Sequence, residues 1–235
     1  MLVFHIVSKL EIYKSKDRVK DKALIKKDDY KKLYKESIDD PISFWSNQGK
    51  CLDWFEPYTR VRDYSFDKRN LYIKWYEDGF LNASYNCLDR HVDNKGDKIA
   101  ILWEGDDPSD TRAITYRELL IEVSKFANGL KGLGIKKGDR VTIYMPMIPE
   151  ACISMLACTR IGAIHSVVFG GFSPDALAGR LNDCDSKYII TADEGIRGGK
   201  TIPLKVNVDK SLVNITDFEK CIVVKRTGNE IPWDD

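Results

Sequence analysis

The stretch that decides the fold runs from His165 to Lys200 and reads HSVVFGGFSPDALAGRLNDCDSKYIITADEGIRGGK. It holds two short β-type runs, at residues 166–169 and 187–191, with a helix signal between them. The signal is Ser-Pro-Asp at 173–175: serine caps the helix, proline takes the first helical position, and aspartate complements the positive end of the helix dipole. Strand, helix and strand of this length predict a βαβ unit with a right-handed crossover.

A pair of glycines follows each β-type run. The pairs stand at 170–171 and 198–199, and the second pair is flanked by Arg197 and Lys200. Parallel strands end at the same edge of a sheet, so we expect both pairs at the edge where open α/β sheets bind ligands. Glycine lets a ligand approach the backbone closely, and the two cations add affinity for phosphate. The stretch therefore predicts a site for a phosphorylated, nucleotide-like ligand.

The second half of the chain alternates strand and helix patterns. Strands are predicted at 98–104, 112–115, 140–145, 163–169 and 221–225, and helices over 116–133, 149–161 and 203–212. Thr115 and Glu118 have the spacing of a capping box and mark the start of the first of these helices. The alternation predicts an α/β fold with a mainly parallel, doubly wound sheet.

The first part of the chain has a different character. Residues 1–35 are lysine-rich and predict a solvated helical or partly frayed extension, whereas residues 38–90 carry many irregularly spaced aromatic side chains. We expect an N-terminal extension and wrapping segment over 1–95, whose large side chains pack on a neighbouring body. Residues 96–235 are then the first, truncated α/β subdomain of a larger domain. Without the rest of that body, apolar surface would remain exposed.

Composition excludes several classes of protein. The 235 residues are 43% hydrophobic and 31% charged, and the net charge of +1 argues against a nucleic-acid binder. Six cysteines lack any CxxC pair and are expected to be reduced, mostly buried thiols, which argues against a disulfide framework or structural zinc. No targeting or membrane segment is visible, and the many acidic residues among the first forty disfavour a transit peptide, so a cytoplasmic chain is expected.

Other signals are weaker. Residues 195–201, GIRGGKT, are one residue shorter than a P-loop, and a loop shortened in this way cannot close the same nest of amides around a phosphate. The 170–171 pair lacks the spacing of a dinucleotide fingerprint. Asp193 and Glu194 are expected to hold the cationic loop in position, and Asp89 and Arg90 to form a local ion pair. The three histidines do not cluster. No catalytic residue and no metal ligand is predicted in this chain.

Several long runs carry a family resemblance. They are LNASYNCLDRH at 81–91, KGDRVTIYMPMIPE at 137–150, MLACTRIGAIHSVVFGGFS at 155–173, and residues 189–205. From about residue 40 to 233 the chain resembles the N-terminal part of AMP-forming acetyl-CoA synthetases, in the adenylate-forming superfamily. The resemblance implies that the nucleotide end of coenzyme A contacts one set of residues, namely Phe169, Gly170, Gly171, Arg197, Gly198, Gly199 and Lys200. Lys200 stands where the family more usually has arginine. Lysine keeps the positive charge but lacks the bidentate fork of arginine.

The resemblance also implies what lies outside this sequence. The family's phosphate loop, rich in Ser, Thr and Gly and ending in Lys, does not occur before Asp235, nor does the small C-terminal domain with its lysine. The ATP, Mg²⁺ and acetate sites are therefore expected in a missing C-terminal region of the same enzyme. The chain alone is expected to be inactive. Two alternatives stay open at this point: a free-standing CoA- or nucleotide-binding module, and an inactive truncation product. Acetate versus propionate preference and oligomeric state are not predicted.

Overall fold

The computed structural model describes residues 13–233, which divide into two compact units. The first unit takes in residues 13–52 and 59–77 of the described chain, and the second takes in 53–58 and 78–233. This division does not test the predicted domain boundary after residue 95, which stays a prediction. No helix among the described residues combines the length and the apolar character needed to cross a membrane.

In the first unit, helices are followed by a β-hairpin. Its helices are α1 (Asp17–Lys22), α2 (Lys27–Asp39) and α3 (Pro41–Gly49), and its strands are β1 (Arg62–Asp67) and β2 (Asn70–Trp75). Asp40 caps α3 by accepting a hydrogen bond from the Ser43 amide at 3.1 Å. The antiparallel hairpin is regular structure within the segment that the sequence predicted to be irregular. Its Arg62 guanidinium lies 4.5 Å from the centroid of the Tyr64 ring.

The second unit is built on a four-stranded parallel sheet. The strands are β5 (Arg140–Met145), β6 (Ile164–Phe169), β7 (Tyr188–Ala192) and β10 (Lys220–Val224), in the spatial order β10-β7-β5-β6. The β6 and β7 strands are not neighbours, because β5 lies between them and pairs with both. The parallel sheet confirms the predicted α/β fold.

Helices cover both faces of this sheet. On one face α5 (Tyr116–Gly132) and α6 (Pro149–Ile161) pack over Val141, Ile143 and Met145 of β5. On the other face α7 (Pro174–Asp183) and α8 (Leu204–Leu212) pack over Tyr144. Alternate residues of one strand thus enter two separate cores, as strand geometry requires, and the sheet is doubly wound as predicted.

Local signals in the sequence explain where several elements begin. Thr115 and Glu118 form the predicted capping box at α5, and Ser173 caps α7 by accepting a hydrogen bond from the Ala176 amide at 3.3 Å. An antiparallel hairpin, β3 (Ile99–Glu104) and β4 (Thr111–Thr115), precedes α5.

From residue 83 onward, the family-like run at 81–91 lies in a helix that contains one π-helical turn, Tyr85–Asp89, followed by α4 (Arg90–Lys95). The carboxylate of Asp89 makes a two-point ion pair with Arg160 of α6, at 2.8 and 2.9 Å. The predicted local pair between Asp89 and Arg90 is therefore wrong, because Arg90 instead donates to Asn86 and Asp53. The ion pair of Asp89 with Arg160 therefore links the helix that contains the π-helical turn to α6.

All six cysteines are free. Burial raises the pKa of Cys158 and of Cys221 to about 12, so both are protonated thiols near neutral pH. The expectation that the thiols are mostly buried is wrong, because only Cys158 is buried, whereas Cys51 and Cys87 are exposed and the other three are partly exposed.

Candidate functional site

An apolar groove of about 300 Å³ lies beyond the carboxyl ends of β5 and β6. Residues 145–147, 169–171 and 195–197 line it, together with Ile202 and Leu204. Phe169, Gly170, Gly171 and Arg197 from the predicted site thus share one groove. Gly198, Gly199 and Lys200 are not among its lining residues; they form the exposed end of an adjoining hairpin. The groove lies at the edge where open α/β sheets bind ligands.

The first glycine pair is explained by close packing inside the protein. A Cβ at Gly170 would lie 3.0 Å from the carbonyl oxygen of Met145 on the neighbouring strand. A Cβ at Gly171 would lie 2.7 Å from a ring carbon of Phe169. The hydroxyl of buried Tyr144 donates to the carbonyl of Phe172 at 2.8 Å and holds the loop that follows. A side chain at Gly170 would push on the Met145 carbonyl, so close packing favours glycine there even with no ligand bound.

The second glycine pair is a hairpin turn. It joins β8 (Gly195–Arg197) to β9 (Lys200–Ile202), and Arg197 and Lys200 are cross-strand partners. Gly198 and Gly199 have φ values of +58° and +69°, as a two-residue hairpin turn of type I′ requires. A Cβ at either glycine would meet nothing within 4 Å, so backbone conformation, not space, selects glycine there.

The amides of this turn are bound by a carboxylate that the sequence reasoning missed. The Gly198 amide donates to Oδ1 of Asp106 at 3.0 Å, and the Gly199 amide to Oδ2 at 2.7 Å. The hydrogen bond from Gly199, followed by that from Gly198, holds the pKa of Asp106 below its ordinary value. Asp106 lies 92 residues from Gly198 in the sequence, so no local pattern could have revealed the contact.

Two cations flank the turn. The Arg197 and Lys200 side chains are exposed, and the described part of the chain places neither in an ion pair. The Arg197 guanidinium carbon lies 5.5 Å from the centroid of the Phe169 ring, at cation–π distance. A guanidinium has its N–H donors in its plane and around its edge, so contact with a ring face leaves donors for an anion.

Asp193 and Glu194 do not hold the cationic loop, so that prediction is wrong. Asp193 instead accepts hydrogen bonds from the amides of Arg226, Thr227 and Gly228, at 2.8–3.1 Å. Burial opposes ionisation of Asp193, but hydrogen bonds from Gly228, Arg226, Glu194 and Thr227 outweigh it and hold the pKa below its ordinary value. Glu194 accepts from the Thr227 hydroxyl at 2.7 Å. The two carboxylates organise the loop after β10.

That loop is linked back to the groove. Arg226 donates to Asp110 at 2.6 Å, and its guanidinium carbon lies 5.0 Å from the centroid of the Trp103 ring. The Trp103 indole donates to the carbonyl of Met147, a groove residue, at 2.7 Å. Contacts between the β3–β4 hairpin and the strand ends therefore support the groove.

Other candidate chemistry is sparse. The described residues contain no group of three or more His, Cys, Asp or Glu able to hold a metal ion. Burial holds the pKa of His165 below its ordinary value, so this side chain is neutral near neutral pH. His5 lies outside the described residues.

Comparisons with known proteins agree with the fold and extend it. Residues 88–232 match the family model described as "AMP-binding enzyme", and residues 30–87 match "Acetyl-coenzyme A synthetase N-terminus". The chain is 57% identical over 228 residues to an acetyl-coenzyme A synthetase of Aeromonas hydrophila, covering 97% of this chain and 35% of that protein. A counterpart from Parvibaculum lavamentivorans is 58% identical over 221 residues, covering 94% and 34%.

A solved structure supports the fold alone. Acetoacetyl-CoA synthetase from Streptomyces lividans is 24% identical and superposes with a TM-score of 0.77, covering 86% of this chain and 31% of that one. The chain spans 35% of the length of the Aeromonas hydrophila relative. The family-model matches and the identity to these relatives confirm the resemblance carried by the sequence runs: the chain belongs to the AMP-binding enzyme family and matches the N-terminal part of its acetyl-coenzyme A synthetases.

Proposed function

We propose that this chain is the N-terminal part of an acetate–CoA ligase. The complete enzyme converts acetate, ATP and CoA to acetyl-CoA, through acetyl-AMP and with release of pyrophosphate. The acetate, ATP and Mg²⁺ sites lie in the remaining, C-terminal region, and the enzyme is cytoplasmic. The chain's similarity to acetyl-coenzyme A synthetases, at 55–58% identity, supports this reaction.

Within that enzyme, this chain contributes to binding the nucleotide end of CoA. The observation that carries the proposal is the pair of exposed cations, Arg197 and Lys200, on a hairpin beside the apolar groove. Phosphate oxygens accept charge-assisted hydrogen bonds from both side chains, and Arg197 also offers a planar fork. Phe169, Gly170 and Gly171 supply the apolar wall against which the nucleotide rests.

Arg197→Ala in the complete enzyme tests this role. A hydrogen bond to a charged group contributes about 1.5–3 kcal/mol, so CoA binding should weaken by about ten- to a hundredfold. Lys200→Arg should leave CoA affinity equal or tighter, because the bidentate fork is restored. Lys210→Ala, which removes an exposed cation from the last turn of α8, is the matched control and should not change CoA affinity.

The measurement is a CoA titration with acetate-dependent exchange of labelled pyrophosphate into ATP assayed alongside. Exchange should be unchanged in Arg197→Ala, since this hairpin contacts CoA and not ATP. A variant that loses exchange but keeps its CoA affinity would contradict the assignment.

The same exchange assay applies to the 235-residue chain alone, which we expect to show no exchange because the Ser/Thr/Gly-rich phosphate loop is not in its sequence. Exchange above a no-protein blank would contradict this expectation.

A further inference from the structure

The carboxylate of Asp106 lies on a loop that is itself held by hydrogen bonds and an ion pair. Between β3 and β4, the Gly105 amide donates to the Asp110 carbonyl at 2.7 Å, and the Asp110 amide donates to the Asp107 carbonyl at 2.9 Å. The Asp107 carboxylate accepts from the Ser109 amide at 2.8 Å. Asp110 is also paired with Arg226 at 2.6 Å. The loop therefore presents Asp106 from a fixed frame.

The hairpin that Asp106 contacts receives little support from its own short strands. Strands β8 and β9 have three residues each, and isolated hairpins of that length are marginal in water. The ladder ends at the pair Arg197 and Lys200, which leaves the amides of the two turn glycines without a partner inside the hairpin. Both amides donate to Asp106, one to each carboxylate oxygen. The carboxylate thus supplies the hydrogen bonds that the short hairpin lacks.

The two cations adjoin the residues that Asp106 holds. Arg197 immediately precedes Gly198, and Lys200 immediately follows Gly199. Fixing the two glycine amides therefore fixes the backbone from which both side chains project. A turn made of glycines loses more conformational freedom when it becomes ordered than other turns do. Holding this turn in place before the ligand binds therefore lowers the entropic cost of binding.

We propose that Asp106 is a positioning residue for CoA: its carboxylate clamps the Gly198–Gly199 turn and so sets the placement of Arg197 and Lys200 toward the CoA phosphate. This inference rests on the proposed function. The phosphate is held by the two side chains, and the turn amides are not available to it. A competing role makes the opposite prediction, since a carboxylate that merely occupies a phosphate site would weaken CoA binding.

Asp106→Ala and Asp106→Asn in the complete enzyme distinguish these roles. For the positioning role, Asp106→Ala weakens CoA binding by about three- to tenfold, and Asp106→Asn by less, because the amide oxygen still accepts one N–H. Asp183→Asn removes the same charge from the exposed end of α7 and leaves CoA affinity unchanged. Equal CoA binding in both Asp106 variants overturns the proposal, and tighter binding overturns it and favours the competing role.

Two further measurements exclude a general loss of structure. Hydrogen exchange at the Gly198 and Gly199 amides should accelerate in Asp106→Ala while the melting temperature stays unchanged. In the Arg197→Ala background, the Asp106→Ala change should weaken CoA binding less than it does in the original enzyme, because part of the effect of the clamp acts through Arg197. Additive losses in this double-mutant cycle, or unchanged exchange at the turn, would overturn the positioning role.

A failure of the proposed function can be distinguished from a failure of the positioning role. If Arg197→Ala binds CoA normally, the hairpin is not the phosphate site, and the role of Asp106 toward CoA fails with it. If Arg197→Ala weakens binding but Asp106→Ala does not, only the positioning role is wrong.

Discussion

At Gly198 the backbone has a positive φ, whereas at Gly170 a side chain would press against the backbone of the neighbouring strand. These are different constraints and they tolerate different replacements. A residue that adopts the left-handed region can replace Gly198 because the space around it is open. No side chain can replace Gly170 without moving the Met145 carbonyl.

We therefore predict opposite outcomes for two changes at Gly198. Asn-Gly is a favoured pair in a type I′ turn, so Gly198→Asn should keep both stability and CoA affinity near the original values. Gly198→Val should cost about 1–2 kcal/mol locally and weaken CoA binding, because a β-branched residue is strained at this φ. Thermal unfolding and a CoA titration of the two variants check the contrast. Equal behaviour of the two variants would contradict it.

A pH-dependent prediction concerns Asp193, whose side chain is 3% exposed. Its pKa in the folded state is below its ordinary value. It therefore contributes stability that is present above the ordinary carboxyl pKa, about 4, and is lost as the pH falls through the lower folded-state pKa. Asp193→Asn, which leaves amide donors facing an NH₂ group, should cost about 2 kcal/mol at neutral pH.

Urea unfolding at a series of pH values measures this. The difference in free energy of unfolding between the original chain and Asp193→Asn should shrink in acid, and Asp183→Asn should show no such difference. A pH-independent gap would show that the charge of Asp193 does not stabilise the loop.

At the scale of elements, the pair between Asp89 and Arg160 fixes the helix that contains the π-helical turn against α6. Both side chains are less than a third exposed, and the contact has two points. Arg160→Ala should lower the free energy of unfolding by about 1–3 kcal/mol, since it also leaves a half-buried carboxylate unpaired. Lys187→Ala, which breaks a 3.9 Å pair with Glu219 at a more exposed position, should cost under about 0.5 kcal/mol.

Chemical denaturation of both variants tests the comparison. Similar losses in the free energy of unfolding of the two variants would mean that the two-point ion pair of Asp89 and Arg160 stabilises no more than the longer pair of Lys187 and Glu219.

Elements with strong local signals were predictable from the sequence. The strand at 140–145 and the helix at 149–161 have the predicted bounds, because a largely apolar, β-prone run marks the strand and a proline at the first turn marks the helix. The β1–β2 hairpin was missed although its strands do alternate, with Tyr64, Phe66, Leu71 and Ile73 on one face. The aromatic side chains on either side of it are irregularly spaced and favoured the interpretation of the whole segment as irregular. The β8–β9 hairpin was missed because its three-residue strands are too short to show a period.

The site was predictable in its chemistry but not in its contacts. Glycine pairs and cations are visible in the sequence, and Arg197 does lie beside Phe169. Asp106, Arg226 and Trp103 were not visible as site residues, because tertiary contacts alone bring them to the strand ends. The resemblance contributed the identity of the ligand, which remains a proposal.

At the scale of the whole molecule, the β6 strand lies at one end of the described sheet order and carries exposed Ile164, Val167 and Phe169. An exposed apolar edge favours pairing with another chain. We expect the 235-residue chain to bind an apolar dye and to associate as its concentration rises. Val167→Lys should reduce that association, because a charged side chain on an edge strand disfavours pairing.

Light scattering over a concentration series tests this, with Val213→Lys as the control, since Val213 is also exposed but follows α8. A monomer at all concentrations, with no dye binding, would contradict the expectation.

The strand order β10-β7-β5-β6 also bears on how the chain folds during synthesis. The first of these strands to leave a ribosome is β5, and each later one adds to a free side of those already made. Thus β6 joins one side, β7 the other, and β10 the outer side of β7. No strand has to be inserted between two that are already paired. The sheet can therefore grow outward from its centre in the order of translation, without reopening any ladder of hydrogen bonds.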